Sequence, residues 1–352
     1  MGSRAWYTTR ERVMRAADVK ASAYLSSEID AAIDASSTAV DNLCNRGDDT
    51  RPGFAPWVGS LTVDWPVPNN DNAYRYYLNQ NALNSVTSVV SGGTTITADV
   101  ILRPDYGPPY TMLDVDRGSS SLFTFTTGSG QRSLVITGTW GWLGEDKTSS
   151  AWTLGADLTT TTATTARLNA PIGVGSIVLI GTERLTVTDR AWADSGQNGT
   201  LTSSLNAQTL AVSDGTAFLA GEELILDAER VLIRDITGNN LLVQRAVSGS
   251  TLAAHTNADI YWARSCTVER GALGTTAATH TSGDAVSIYS PPPQIEQLTV
   301  AYALDQRQQE ASNYARTVGQ GEGQRNASGA GLAILENRVV QQYGRQLRMR
   351  SI

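Results

Sequence analysis

Two internal duplications constrain the fold of this chain more than any other feature of its sequence. Residues 178–189 (VLIGTERLTVTD) align with 224–235 (LILDAERVLIRD), 46 residues further on, and residues 243–256 (VQRAVSGSTLAAHT) align with 268–281 (VERGALGTTAATHT), 25 residues further on. In the first pair, alternating apolar residues on both sides of Glu183-Arg184 and Glu229-Arg230 read as two strands hinged at the Glu-Arg step. A repeated supersecondary unit buries its apolar face against its copy, so the expectation is an all-β domain built by duplication. The local composition agrees. Between Glu145 and Tyr289 the chain turns to Thr, Ala and Gly, has few aromatics, and carries turn residues such as Gly238-Asn239-Asn240. The run 159–165 reads as a linker or the lip of a strand.

The flanking segments have another texture. Residues 13–19 read as a short helix. In a second helix Ser27 caps, Glu28 and Asp30 place negative charge in the first turn, and Ile29, Ile33, Val40 and Leu43 form one apolar stripe, with Ala32, Ala35, Ala39 and Cys44 beside it. That helix is predicted to end near Asn45-Arg46-Gly47. Short strands then follow at 61–65, in a hairpin of 83–90 and 94–102 about Gly92-Gly93, in a pair 112–116 and 122–126, and at 133–142 with Leu134, Ile136 and Trp140 inward. After Tyr289, Pro291-Pro292-Pro293 leads into a helix over 294–318, with Ile295, Leu298, Ala301, Tyr302 and Ala315 as a partial stripe. Gly319, Gly321 and Gly323 read as a hinge. A last helix over 332–349 carries Leu335, Val339, Tyr343 and Leu347 on one face and ends in arginines. The expected class is α+β: a small helical core with β-hairpins (residues 1–145 and 291–352), interrupted by an inserted all-β repeat domain (146–290).

Composition narrows the function classes. A net charge of −7, from 27 basic and 34 acidic residues, argues against a dedicated nucleic-acid binder, whose footprint is basic. No apolar run is long enough to span a membrane, and Met1-Gly2-Ser3-Arg4-Ala5-Trp6 lacks the apolar stretch of a signal peptide. Two cysteines, Cys44 and Cys266, are too few for a disulfide framework and suit a reducing compartment; Cys44 continues the helix stripe as a small buried residue. The only histidines, His255 and His280, occupy matching repeat positions and read as turn-stabilising rings; with Cys266 alone nearby in sequence they offer no zinc pattern. Asp114 and Asp116 share one strand face, an arrangement for cation binding or acid–base chemistry, although a solvated face is the simpler reading. Glu183-Arg184 and Glu229-Arg230 read as surface ion pairs worth at most about 1 kcal/mol. The glycines at 319–323 follow no strand and precede no Gly-Lys-Ser/Thr, so they are not a phosphate loop. No nucleophile, base and orienting group come together. No enzyme activity, cofactor or metal is expected.

Several stretches do carry a family likeness in their order and spacing. They are 24–33 (YLSSEIDAAI) with 40–46 (VDNLCNR), Asp64-Trp65-Pro66, 84–89 (NSVTSV), Gly107-Pro108-Pro109-Tyr110 and 136–142 (ITGTWGW). Over roughly residues 7–145 and 291–352 the chain resembles the head-to-tail adaptors (head–tail connectors) of long-tailed phages. In such relatives the Thr-Gly-Thr-Trp-Gly strand runs almost directly into a Pro-led helix, whereas here about 145 residues intervene.

The resemblance implies a structural protein of the virion neck, present in host cytoplasm during assembly. It implies a twelve-fold homo-oligomeric ring between the portal protein and the stopper or tail-completion protein, around genomic DNA that passes without sequence-specific binding, and no membrane. A net acidic chain suits such a duct, because each phosphate neutralised adds grip on the DNA. For portal docking the candidates are Arg345, Leu347, Arg348, Met349, Arg350 and Ile352, apolar anchors interleaved with arginine. For a contact loop they are Tyr106, Pro108, Pro109 and Tyr110. A second reading is a tail, baseplate or collar protein that binds host-surface glycan through the repeat domain, with Trp192, Tyr261 and Trp262 to stack on sugar. A third is a glycan hydrolase relying on Asp114 and Asp116.

Overall fold

Helix α1 (Arg10–Ala17) and helix α2 (Ser26–Leu43) open the chain. The buried side chains of α2 (Ile29, Ala32, Ile33, Ser36, Ser37, Val40 and Asp41) recur every three or four residues, the spacing that puts them on one helix face. The helix stops where Asn45 turns left-handed (φ 52°), a conformation that Asn tolerates. The structure, a computed structural model, describes residues 4–17, 25–47, 51–65, 73–78, 81–125, 130–142, 144–311, 317–318, 325–326 and 330–344. By their packing the residues form two units. One comprises Met1–Ser37, Asp146–Ala272 and Thr276–Leu335, and the other Thr38–Glu145, Leu273–Thr275 and Glu336–Ile352.

The second of these units holds strands β1 (Trp57–Val63), β2 (Arg75–Tyr77), β3 (Leu83–Ser91), β4 (Thr94–Thr95), β5 (Val100–Arg103), β6 (Met112–Val115) and β7 (Leu134–Trp140). They make an antiparallel sheet of order β1-β7-β3-β4 and a smaller one of order β2-β6-β5. Leu134, Ile136 and Trp140 point inward as their alternation predicts, and all three are fully buried. Trp140 stacks on Trp57 at 5.5 Å, and its Nε1 donates to Gly59 O at 2.9 Å. Gly138 is required between them in sequence because a Cβ there would stand 2.1 Å from Ser85 O. Two sequence expectations fail here. The hairpin about Gly92-Gly93 has only Thr94–Thr95 as its second arm; the chain then makes a 3-10 turn at Thr97–Asp99 and joins the other sheet as β5. Residues 122–125 are not a strand: β6 pairs with β2 and β5, and Phe123 is buried against Trp65 and Tyr76. Alternation read along one segment cannot say which of two sheets completes a pairing.

The remaining unit is built on β8 (Glu145–Leu154), β9 (Thr165–Asn169), β10 (Ile177–Ile180), β11 (Glu183–Leu201), β12 (Thr209–Ala211), β13 (Glu223–Leu226), β14 (Glu229–Thr237), β15 (Asn240–Gln244), β16 (His255–Glu269) and β17 (Ala285–Ser290). Strands β11-β10-β17-β8-β9-β16 close into a six-stranded barrel through the pairing of β11 with β16. That long pair, running from Thr186↔Glu269 to Leu201↔His255, also carries a second lobe, β16-β13-β14-β15-β12. Each lobe has its own core. Val178, Ile180, Leu185 and Val187 in the barrel recur as Leu224, Leu226, Val231 and Ile233 in the second lobe, so the duplicated hairpins β10–β11 and β13–β14 bury the same positions.

Helix α3 (Pro293–Ala311) starts at the last residue of the proline run and buries Ile295, Leu298, Val300 and Ala303. Val13 of α1, Ile29, Ala32 and Ile33 of α2, and Val300 and Ala303 of α3 share one cluster. Helix α4 (Ala330–Tyr343) buries Val339 completely. The expected class is overturned. The chain is mostly β, 40% strand against 22% helix, with a closed barrel and four helices among the described residues, and not a small helical core with an inserted domain. The physical reason is that α1, the first part of α2 and α3, with the apolar cluster they share, fall in the same packed unit as the barrel and do not stand as a separate helical core.

Replacing Trp140 by Ala removes a fully buried indole and its hydrogen bond from the end of β7, where it pairs with the first residues of β1 and β3. A loss of ~3–5 kcal/mol is expected, read as a lowered urea midpoint by tryptophan fluorescence.

Candidate functional site

The duplicated segments meet around two buried carboxylates. Glu229 opens β14 and is 0% exposed, as is Glu183 at the start of β11. Arg245 donates to Glu229 through Nε (2.7 Å, Oε1) and Nη2 (2.8 Å, Oε2); the Ala246 and Ala253 N–H groups add 2.9 Å bonds, and His255 Nε2 lies 2.9 Å from Oε2. Around Glu183 the same atoms recur. Arg270 donates through Nε and Nη2 at 2.8 Å each, Gly271 and Ala278 N–H at 2.9 and 3.0 Å, and His280 Nε2 stands at 2.8 Å. Thus the first duplication supplies each carboxylate and the second supplies the arginine, histidine and amides that bind it. The intervening loops agree residue for residue in backbone too. Left-handed φ values occur at Ala246 (53°), Ser248 (54°) and Gly249 (71°), and again at Gly271 (60°), Leu273 (54°) and Gly274 (77°).

The electrostatics follow from the donors. Burial by itself raises a carboxyl pKa; here the Arg270, Ala278, Gly271 and His280 hydrogen bonds outweigh it and hold Glu183 at about 2. Glu229 is likewise held at about 2, burial being outweighed by Arg245, Ala253, His255 and Ala246. The His255 and Arg245 side chains are 0% exposed, so no substrate reaches this cluster. What the arrangement does is cross-link. Arg245 also donates to Ala253 O in its own loop and to Thr202 O just past β11, and Arg270 to Ala278 O in its own loop and to Thr160 O between β8 and β9, tying each loop to itself and to a second segment remote in sequence. The expectation of surface ion pairs at the Glu-Arg steps is therefore corrected. The glutamates are interior and pair across the repeats, while Arg184 turns away to Asp146 (2.8 Å) and Arg230 to Glu223 (3.4 Å).

The other candidate residues scatter. Asp114 takes Arg75 in a bidentate pair (2.6 and 3.0 Å) and Arg103 at 3.3 Å. Burial raises its pKa, but these arginines prevail and hold it below the ordinary carboxylate range. Asp116 lies past the end of β6 and accepts the Gly118 N–H at 2.9 Å, so the two aspartates do not form a carboxylate pair. Trp262 lies under Arg264 (4.1 Å) beside Phe218, and Trp192 lies between Arg190 (5.9 Å) and Arg230 (5.6 Å); neither is a bare stacking platform. Cys44 and Cys266 are both buried, and burial pushes both thiols up to about 12. In the Gly107 loop, Tyr106 is 90% exposed and Pro108 is exposed, whereas Pro109 is buried and Tyr110 pairs with Leu83 through both backbone groups. Arg345, Leu347, Arg348, Met349, Arg350 and Ile352 lie outside the described residues, as do Gly319, Gly321 and Gly323. Among the described residues no helix is long and apolar enough to cross a membrane, and no group of His, Cys, Asp and Glu is placed to hold a metal ion.

Sequence reasoning missed a cleft of about 260 Å³ beside α1, lined in part by Trp6, Thr8, Arg15, Lys147, Trp152 and Tyr289. Its charges are mixed: Arg15 faces Glu223 at 3.4 Å. No protein family, curated protein or solved structure matches this chain.

Two outcomes are expected. Glu183 and Glu229 ionise at about 2 when folded and at an ordinary 4.5 when unfolded, so their contribution is complete above pH 4.5 and disappears as pH falls towards 2. Urea midpoints measured across that range will fall steadily with acid. Arg245→Met and Arg270→Met each leave a buried carboxylate without its cation and will each cost ~3–5 kcal/mol in urea unfolding, by similar amounts because the two geometries match.

Proposed function

We propose that the protein is a structural head-to-tail adaptor of a long-tailed phage, one subunit of a homo-oligomeric ring between the portal and the stopper or tail-completion protein, enclosing the path of the DNA in the virion neck. The observation that carries this reading is the behaviour of the motifs behind the family resemblance. They are distant in sequence, yet Arg46 of the VDNLCNR stretch lies 3.7 Å over the Trp142 ring of the ITGTWGW stretch and donates to Tyr343 O of α4 at 2.5 Å. Phe54 meets the Tyr343 ring edge-on at 6.0 Å. Asp41 of the same stretch takes the Gly53 N–H at 3.2 Å, and Gly141 fits where a Cβ would lie 2.6 Å from Ala55 O. Residues that carry a likeness and also hold one another are what a shared core requires.

The charged clusters support a scaffold as well. Glu183, Glu229 and Asp114 are each neutralised by arginine, so their chemistry is spent on rigidity. A subunit that must bear load between two other proteins gains from internal cross-links that do not open. The glycan-binding alternative gains nothing from Trp192 and Trp262, whose rings are attended by arginine.

Cryo-electron microscopy of purified virions tests the proposal. The expected result is density for this fold, repeated around the tail axis at the head–tail junction. Finding the chain in the baseplate or collar, or absent from virions, overturns it.

A further inference from the structure

The two β lobes differ at one buried ion pair. In the second lobe Arg264 holds Glu222 through Nε (2.6 Å, Oε1) and Nη2 (2.8 Å, Oε2), Leu219 N–H donates to Oε2 at 3.3 Å, and Arg264 Nη2 also reaches Ala217 O at 2.8 Å. The position equivalent to Glu222, 46 residues earlier, is Ser176, whose Oγ accepts the Gly173 N–H at 3.0 Å. Strand register (Val178↔Ile288 in the barrel, Leu224↔Trp262 in the second lobe) sets Ser290 where the second lobe has Arg264. The barrel thus lacks both members of the pair at these positions.

Substitutes come from elsewhere. Arg190 of β11 donates through Nη1 to Ile172 O at 2.5 Å, and through Nη2 to Oε1 of Glu11 on α1 at 2.7 Å. Glu11 Oε2 takes the Val174 N–H at 2.9 Å. Glu11 is 6% exposed, and a Cβ on Gly173 would lie 2.4 Å from its Oε2, so the space for the carboxylate exists only because residue 173 has no side chain. The backbone seats α1 too, through Arg10 N–H to Val174 O at 3.1 Å.

We infer that the barrel carries a carboxylate receptor, formed by Arg190, the Val174 N–H and the bare Gly173, and that α1 is docked there through Glu11 as its ligand. The site takes a carboxylate because its donors are one guanidinium and one amide aimed at two oxygens of a single group. Arg190 Nε has no hydrogen-bond partner among the described residues, so the receptor has donor capacity that Glu11 does not use. The neighbouring cleft is lined by Glu11, Gly173 and Arg190, which gives a small carboxylate a route to the same donors once Glu11 is shortened.

Chemical rescue of the full chain tests this. Glu11→Ala is expected to lower the thermal midpoint by about 5 °C or more, since it strands a buried guanidinium. Sodium formate is expected to restore part of that loss saturably, while sodium chloride at equal ionic strength does not, because an anion bound only by the folded state raises its stability. Glu11→Gln, whose amide still fills the socket, is the control that formate does not rescue. If Glu11→Ala does not accumulate folded, Ser176→Glu in the same background returns a carboxylate from the position Glu222 occupies and is expected to recover folded protein. An unchanged midpoint in Glu11→Ala overturns the inference. So does formate acting equally on all variants, or no recovery by Ser176→Glu where it is needed.

Discussion

The structure of the β repeats depends on one constraint: a carboxylate taken out of water must find its charge and its hydrogen bonds inside the protein. Glu183 and Glu229 meet that demand with five bonds each, and the partners they need lie on loops that local sequence would leave unstructured. Once each loop has presented an arginine, a histidine and two amides to one glutamate, it has little freedom left. This explains how Ser248 and Leu273, side-chain-bearing residues, are kept at positive φ. Such backbone persists where the surroundings over-determine it.

The same constraint explains why duplication is so evident in the sequence. An interior Glu–Arg–His set cannot be changed one member at a time, since each loss strands the others. The apolar positions around it tolerate exchange, and they do differ: Val178 for Leu224, Leu185 for Val231, Val187 for Ile233. One buried ion pair that was not kept, Glu222 with Arg264, has a counterpart of equal chemistry in the barrel in Glu11 and Arg190, drawn from a helix and a different strand.

At these clusters the charged groups are buried and paired, so what they do at their own positions is hold segments together. The charges that look reactive in sequence are neutralised by neighbours within hydrogen-bond distance, in the repeats and at Asp114 alike. Arg46, Trp142 and Tyr343, far apart in sequence, converge on one another in the unit that holds the four-stranded sheet.

Much was legible in the residues alone. The buried Ile29, Ala32, Ile33, Val40 and Cys44 along α2 (though Ala35 and Ala39, expected beside them, are exposed), the inward Leu134, Ile136 and Trp140, the proline start of α3 and both duplications follow from periodicity and local backbone preference, which act over a few residues. What periodicity could not supply was any pairing between distant segments. The sequence displayed Glu-Arg twice and Arg…His twice, yet nothing local told that the glutamates of one repeat belong to the arginines of the other. They therefore read as surface ions. Nor could it show that β5 leaves its hairpin for another sheet, that α1 and α3 pack in one unit with the barrel, or that Glu11 completes an ion pair with Arg190. Sequence by itself determined the elements and their duplication, because those are set by neighbours along the chain. Which charges are buried and which strands close the barrel was decided only in three dimensions, where desolvation makes an unpaired charge too costly and so selects its partner from any distance.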